Sequence, residues 1–416
     1  MRSRNFTRRD FLDLVIKGGL AVGAGGLAFR FPGWLCRVLQ SRPDTALAGQ
    51  LDELIENAPE ARFWISATSP KADCTVCHDA DSLDGQVFYN HSEATVRCML
   101  CAQECSIPEG ERGLCHARIN YRGTLRSLVY GHPVSIHVDP VEKKPFYHFL
   151  PGTAAYSLAT AGCPLRCKFC QNWEISQMSP EDYVTPYMSP DSIVTSARKD
   201  STPVIAFTYN EPTVFAEYLL DIAELAREKG IRCVLISCGY MNPDPLREMC
   251  GLLDAIKIDL KGFSEDFYRT VCGAELKPVL RSIRQVAESG THLEIVNLVV
   301  PGLNDSEEIL KELSKWVVGE VGPDVPVHFT RFHPDYKMLN LSPTPIASLE
   351  RARDAALAEG LKYPFVGNVP GHSGNHTYCP KCSRIVVQRT GFFVQGVHIS
   401  KGRCEYCGER ISGVWS

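Results

Sequence analysis

Gly162-Cys163-Pro164-Leu165-Arg166-Cys167-Lys168-Phe169-Cys170-Gln171-Asn172-Trp173 is the stretch on which the fold turns. It directly follows an apolar run, residues 154–160, that reads as a buried strand. Three cysteines spaced C-x3-C-x2-C on one loop can reach three irons of a [4Fe–4S] cube. No fourth cysteine follows nearby, so one iron is left open to a small molecule, as a catalytic metal site keeps an open position.

Beyond this loop, short apolar runs at 204–209, 233–237, 255–260, 294–300 and 327–332 alternate with helical stretches at 214–229, 279–288, 306–317 and 346–359. That alternation predicts an α/β fold with a parallel sheet built from βαβ units. Six units fit a partial (β/α)6 barrel over residues 151–370, with chemistry at the C-terminal strand ends. Two strand ends carry suitable groups, Thr208-Tyr209-Asn210-Glu211-Pro212 and Asp259-Leu260-Lys261. A third, Val327-His328-Phe329-Thr330-Arg331-Phe332-His333-Pro334-Asp335-Tyr336, offers His328, Arg331, His333 and Tyr336 as substrate-binding candidates, with rim packing as the alternative.

The three-cysteine loop, with Phe169 just before its last cysteine, resembles the signature of the radical SAM superfamily. In that superfamily the open iron chelates the amino and carboxylate groups of S-adenosylmethionine (SAM). Electron transfer then cleaves the sulfonium bond to give a 5′-deoxyadenosyl radical. Asn210-Glu211-Pro212 resembles the end of the Gly-Gly-Glu-Pro segment of the activating enzymes, with both glycines replaced. Asp259-Leu260-Lys261 is similar to the Asp-x-Lys segment of pyruvate formate-lyase activating enzymes. Two further segments narrow the likeness: Asp139-Pro140-Val141-Glu142-Lys143-Lys144-Pro145-Phe146-Tyr147-His148-Phe149 and Cys170-Gln171-Asn172-Trp173-Glu174-Ile175-Ser176. With them, residues 95–410 resemble the AmmeMemoRadiSam-system radical SAM enzymes.

This resemblance implies an oxidoreductase that abstracts hydrogen from a protein or small-molecule substrate. It places Phe169, Asn210, Glu211, Asp259 and Lys261 beside the cofactor. An electron donor such as flavodoxin or ferredoxin follows from it, and a Memo-like partner from the family's name. Read by residue chemistry alone, Glu211 also fits a helix N-terminal carboxylate, and Asp259 with Lys261 a buried ion pair. Ser237-Cys238-Gly239-Tyr240 departs from the Asn-Gly expected before the tyrosine.

Thirteen of the eighteen cysteines fall in tight groups, which argues for metal centres over disulfides. Cys98, Cys101, Cys105 and Cys115 suit an auxiliary [4Fe–4S] cluster or a zinc ion, within a Cys-rich module at 98–150 that includes a hairpin around 124–130. Cys379, Cys382, Cys404 and Cys407 form two C-x2-C knuckles in a zinc-ribbon-like module at 371–416. Cys74-Thr75-Val76-Cys77-His78 matches a c-type haem attachment pattern, but no second axial ligand stands out, so an incidental structural site, or else an extra metal or redox pair, is preferred to haem. Cys36, Cys233, Cys238, Cys250 and Cys272 are isolated, most of them in apolar surroundings.

The 416 residues, 44 % hydrophobic and 22 % charged, exclude a disordered chain. A net charge of −4 argues against a nucleic-acid binder. At the N-terminus, Thr7-Arg8-Arg9-Asp10-Phe11-Leu12 and the apolar stretch 18–29 resemble a twin-arginine leader over residues 1–48. Such a leader points to export or a membrane tether, whereas SAM chemistry points to the cytosolic side. Residues 49–97 read as an irregular linker. The leader and the 74–78 pattern favour a rival reading, an exported multi-centre iron–sulfur or haem electron carrier; the three-cysteine loop and the strand pattern count against it.

Overall fold

Runs rich in valine, isoleucine and alanine form the centre of the molecule, as expected where both faces of a sheet are covered. The structure, a computed structural model, describes residues 44–66, 95–183 and 185–416. The twin-arginine motif, Cys36 and the 74–78 pattern lie outside the described residues. Within the described residues no helix is long and apolar enough to cross a membrane.

Helix α1 (Asp44–Asn57) leads into β1 (Trp64–Ser66), which pairs antiparallel with β2 (Val96–Cys98), and β2 pairs with β3 (Ser106–Ile107). The expected linker is therefore structured at both ends. Ile55 and Ala58 pack against Ile119 and Leu128, and a bridge joins Glu60 to Arg126. Strands β4 (Arg118–Tyr121) and β5 (Thr124–Ser127) form the expected hairpin a few residues early. Its two-residue turn, Arg122-Gly123, takes positive φ at both positions, the geometry that matches strand twist.

Strand β6 (Ser135–Pro140) then pairs antiparallel with β7 (Ala154–Ala159). From β7 the chain alternates. Helix α2 (Pro190–Lys199), β8 (Val204–Phe207), α3 (Ala216–Glu228), β9 (Arg232–Ser237), α4 (Pro243–Leu252) and β10 (Ala255–Asp259) come first. They are followed by α5 (Leu276–Ser289), β11 (His292–Val299), α6 (Glu307–Glu320), β12 (Val327–Arg331), α7 (Ile346–Ala358) and β13 (Pro364–Gly367). Strands β7 to β13 lie side by side in chain order, all parallel.

The six expected strands are present, and the sheet is wider than a six-unit barrel. It carries a seventh parallel strand, β13, and the antiparallel edge β6. The sheet thus begins at residue 135, inside the segment assigned by sequence to the Cys-rich module. Strands β8 and β13 are buried at every position, and each buried aliphatic or aromatic side chain there is worth about 1.5–3 kcal/mol.

After β13 come β14 (Thr377–Tyr378), β15 (Ile385–Thr390) and β16 (Phe393–Val397), which form a small antiparallel sheet. A pair of short strands, β17 (Ile399–Ser400) and β18 (Arg403–Cys404), completes this Cys-rich C-terminal module. It packs into the same unit as the barrel: Val386, Cys379, Cys404 and Ile411 share a core with Tyr147, Tyr363 and Phe365.

Candidate active site

Every parallel strand up to β13 delivers its C-terminal end to one cavity of about 540 Å³. Cys163, Cys167, Phe169 and Cys170 come from the loop after β7, and Asn210 and Glu211 from the turn after β8. Cys238 follows β9, Asp259 and Lys261 end β10, and Arg331 and His333 end β12. The residues expected beside the cofactor thus share one wall system, although they come from three separate strand ends between Phe169 and Lys261.

The three thiols differ in their surroundings. Burial and the nearby Glu211 carboxylate push the Cys163 thiol well up, and burial raises Cys170, whose sulfur lies 3.2 Å from the Ser176 hydroxyl. Cys167 is held below the ordinary thiol range, first by a hydrogen bond from the Cys272 thiol and also by the Lys261 ammonium. Two further thiols stand close by, and both are engaged as protonated donors. Cys272 donates to Cys167, and Cys238, raised chiefly by burial, donates to Glu211.

Glu211 is saturated. Its Oε1 accepts from the Ser237 hydroxyl (2.7 Å) and from the Thr213 N–H (3.2 Å) and hydroxyl, and its Oε2 accepts from the Cys238 N–H (2.7 Å). It caps the turn Pro212–Phe215, as the helix N-terminal alternative anticipated. Asn210 is different. Its Nδ2 donates to the Gly162 carbonyl (2.9 Å), while its Oδ1 is buried with no partner among the described residues.

Asp259 stands between two ammoniums, bonded to Lys257 and 3.3 Å from Lys261. Burial raises its carboxyl, but the two lysines outweigh burial and hold it below the ordinary range. Phe169 is buried, with the Phe267 ring stacked on it at 6.3 Å and Lys261 5.8 Å from its centroid.

The substrate candidates separate. Arg331 and His333 line the cavity. Arg331 Nε donates to the Thr344 carbonyl, and among the described residues the rest of the guanidinium has no partner. Tyr336 stacks on Trp173 at 5.3 Å, joining the loop after β12 to the cysteine loop. His328 must be corrected. It sits near the start of β12, at the opposite end of the strand, fully buried and bonded to Glu294 at 2.6 Å between Tyr147 and Phe365. It lies on the same face of β12 as Thr330, which lines the cavity, but one pleat nearer the start of the strand, and that depth keeps it from the mouth.

Sequence reasoning missed Lys143, Lys144 and Phe392, which also line the cavity. Lys143 and Lys144 both pair with Asp139, at 2.7 and 2.6 Å. Phe392 lies at the tip of the β15–β16 hairpin, and no pattern in the sequence announces that it reaches the barrel mouth.

Away from the cavity, Cys379, Cys382, Cys404 and Cys407 bring their sulfurs within 4.8 Å of one another. Cys379 and Cys407 are 3.5 Å apart, Cys382 and Cys404 3.8 Å. A tetrahedral site with metal–sulfur bonds of about 2.3 Å needs sulfurs roughly 3.8 Å apart, so this module can hold one metal ion.

A radical SAM superfamily profile matches residues 157–313, from β7 into α6. The fold and site therefore define a radical SAM enzyme, of the class that uses SAM and a [4Fe–4S] cluster and has activating-type oxidoreductases among its homologues. Within that class, the chain belongs to the family of the uncharacterized protein MJ0808 of Methanocaldococcus jannaschii. The two are 44 % identical over 328 residues, which cover 78 % of this chain and 98 % of that one. It is similar as well to the pyruvate formate-lyase-activating enzyme of Streptococcus mutans, at 28 % identity over 38 % of this chain and 63 % of that enzyme. The corresponding enzyme of Staphylococcus epidermidis is 25 % identical over 52 % of this chain and 90 % of its own length.

The residues present fit the groups that this class uses. Three thiols on one loop share a cavity with an amide oxygen that has no partner among the described residues, the kind of acceptor that an ammonium group requires.

Proposed function

We propose that this chain is an AmmeMemoRadiSam-type enzyme that holds a [4Fe–4S] cluster through Cys163, Cys167 and Cys170 and cleaves SAM to abstract hydrogen from an anionic or peptide substrate. The observation that carries this reading is the meeting of those three thiols with the free Asn210 Oδ1 in one cavity. When bound, the cluster and SAM together supply a 5′-deoxyadenosyl radical.

The chain's own residues bind and orient. Asn210 Oδ1 accepts from the amino group of methionine. Lys261, kept charged by Asp259 against the effect of burial, faces its carboxylate. Phe169 shields the loop from water. Arg331, with its unpaired fork, and His333 take the substrate at the mouth. If the reaction is activation in the strict sense, the substrate is a backbone glycine of a partner protein. Zinc in the C-terminal knuckles holds the hairpin that bears Phe392. A flavodoxin- or ferredoxin-class protein supplies electrons, and a Memo-like protein is the expected partner.

The test is anaerobic reconstitution with iron and sulfide, followed by SAM and dithionite and assay of 5′-deoxyadenosine. The nucleoside should form in the native enzyme and be lost in Cys167→Ala, while zinc content is unchanged. Absence of 5′-deoxyadenosine from a chain that does hold iron would leave only an electron-carrying role.

A further inference from the structure

Cys98, Cys101, Cys105 and Cys115 surround a small closed chamber with mostly aliphatic walls. Arg118 contributes a cation to it, and Pro164 closes it from the side of the catalytic cysteine loop. These thiols stand around a space rather than converging on a point. Among the described residues, the C-terminal quartet is the set whose sulfurs all lie within 4.8 Å of one another. The four sulfurs around the chamber are more widely spread, as are the three of the catalytic loop. One metal ion with bonds of about 2.3 Å requires the tighter arrangement. A cube that offers a separate iron to each thiolate requires the looser one.

We infer that Cys98, Cys101, Cys105 and Cys115 hold a second [4Fe–4S] cluster, fully ligated by protein, which passes electrons to the catalytic site. With a thiolate on every iron, this centre has no open position, and its chemistry is confined to taking up and releasing an electron. Arg118, in an ion pair with Glu217, sets positive charge beside the thiolates.

The chamber and the catalytic loop touch. Gln103 Nε2 donates to the Pro164 carbonyl at 3.0 Å and to the Gly273 carbonyl at 3.4 Å. Arg166 donates to the Cys163 carbonyl at 2.8 Å and to the Leu114 carbonyl. Gly162, with φ +96°, lies so close to the Cys115 carbonyl oxygen that a Cβ at this position would run into it. An external one-electron donor of the ferredoxin or flavodoxin class is oxidised as the second cluster is reduced. The second cluster is reoxidised as the electron moves on to the catalytic cluster.

The inference rests on the proposed function only for the destination of the electron, and its test is independent of SAM cleavage. The full chain carrying Cys163→Ala, Cys167→Ala and Cys170→Ala together is reconstituted anaerobically and its metals counted. We expect about four irons and four sulfides per chain beside one zinc, and a dithionite-induced EPR signal that SAM leaves unchanged. Two zincs and no iron, or a single zinc and nothing else, would overturn the inference. The complementary chain with Cys101→Ala and Cys115→Ala should lose that iron and keep the SAM-responsive signal of the catalytic cluster, while its reduction by a ferredoxin-class donor slows at least tenfold. An unchanged rate of reduction would remove the relay. Should the second variant fail to fold, the metal count of the first decides.

Discussion

Tyr209 occupies the left-handed region, with φ +70°, a conformation that costs a non-glycine residue roughly 1–2 kcal/mol. Activating enzymes place glycine in the segment it resembles. Here the turn is held from outside: the Tyr209 hydroxyl donates to Asp139, Lys144 lies 4.2 Å from its ring, and Asn172 donates to its carbonyl at 2.8 Å. The turn swings Asn210 toward Gly162 and leaves its Oδ1 unpaired. Asn210→Ala should therefore weaken SAM binding about tenfold or more, the loss of one hydrogen bond to a charged group, as read by equilibrium dialysis against labelled SAM. Equal affinity of the alanine variant and the native enzyme would remove Asn210 from the cofactor site. The residue types at this turn were legible in the sequence, but their division of labour was not. Glu211 loses its free lone pairs to Ser237 and Cys238, which reach it from another strand.

At the scale of elements, the sequence revealed what apolar composition controls. Strands β8, β9, β10 and β12 lie within a residue or two of expectation because each carries a short cluster of apolar, largely β-branched or aromatic residues. Strand β13 is hard to read from sequence because Pro-Phe-Val-Gly is only four residues long and itself begins with proline and ends with glycine. Strand β6 escaped because Ser-Ile-His-Val-Asp-Pro is polar on the edge of a sheet. Helices α2 and α4 both open with proline at their first turn, a start signal masked by its reputation as a breaker.

The β15–β16 hairpin was foreseen as an element, but its destination was not, because the reach of Phe392 depends on how two modules pack. Its side chain is 39 % exposed and borders the cavity, so it contributes little to stability and much to closure. Phe392→Ala should leave thermal unfolding within about 1 kcal/mol of the native chain. It should also raise the 5′-deoxyadenosine formed in the absence of substrate several-fold, because one wall of the site is opened to water. Chromatographic assay of the nucleoside checks this, and an unchanged basal rate would mean that the hairpin tip does not guard the cavity.

At the scale of the whole molecule, the C-terminal module is fastened to the barrel by a buried charged contact. Arg389 on β15 lies over the Tyr147 ring at 4.2 Å, donates to the Tyr147 carbonyl and to the Thr377 hydroxyl (2.9 Å), and stands 3.7 Å from Glu142. Glu142 accepts from the Gly152 N–H at 3.0 Å through one oxygen, and its other oxygen has no partner among the described residues. Burial therefore outweighs Arg389 and pushes the Glu142 carboxyl up to about 7 from its ordinary 4.5. The folded chain then holds a proton that the unfolded chain has released. This group's share of stability is full below pH 4.5, falls as pH rises to about 7, and amounts to roughly 3 kcal/mol over that window.

His148 works in the opposite sense. Burial depresses its imidazole to about 3 from 6.5, so its share of stability rises with pH across that interval. The native chain sums the two slopes, and only a difference measurement separates them. In urea unfolding, Glu142→Gln should match the native chain near pH 4.5 and gain on it steadily to pH 7, by up to the same roughly 3 kcal/mol. A flat difference would show that Glu142 is ionised throughout and paired with Arg389, and a difference of reversed sign would show that the pair stabilises the fold. The consequence reaches the active site, because the same strap of chain that carries Glu142 and Tyr147 carries Lys143 and Lys144 into the cavity, and Arg389 holds the hairpin that bears Phe392. The stability lost as the buried Glu142 ionises at rising pH should therefore bear on two walls of the cavity together, and Glu142→Gln should suppress any rise in substrate-independent 5′-deoxyadenosine between pH 6 and pH 8 that the native enzyme shows.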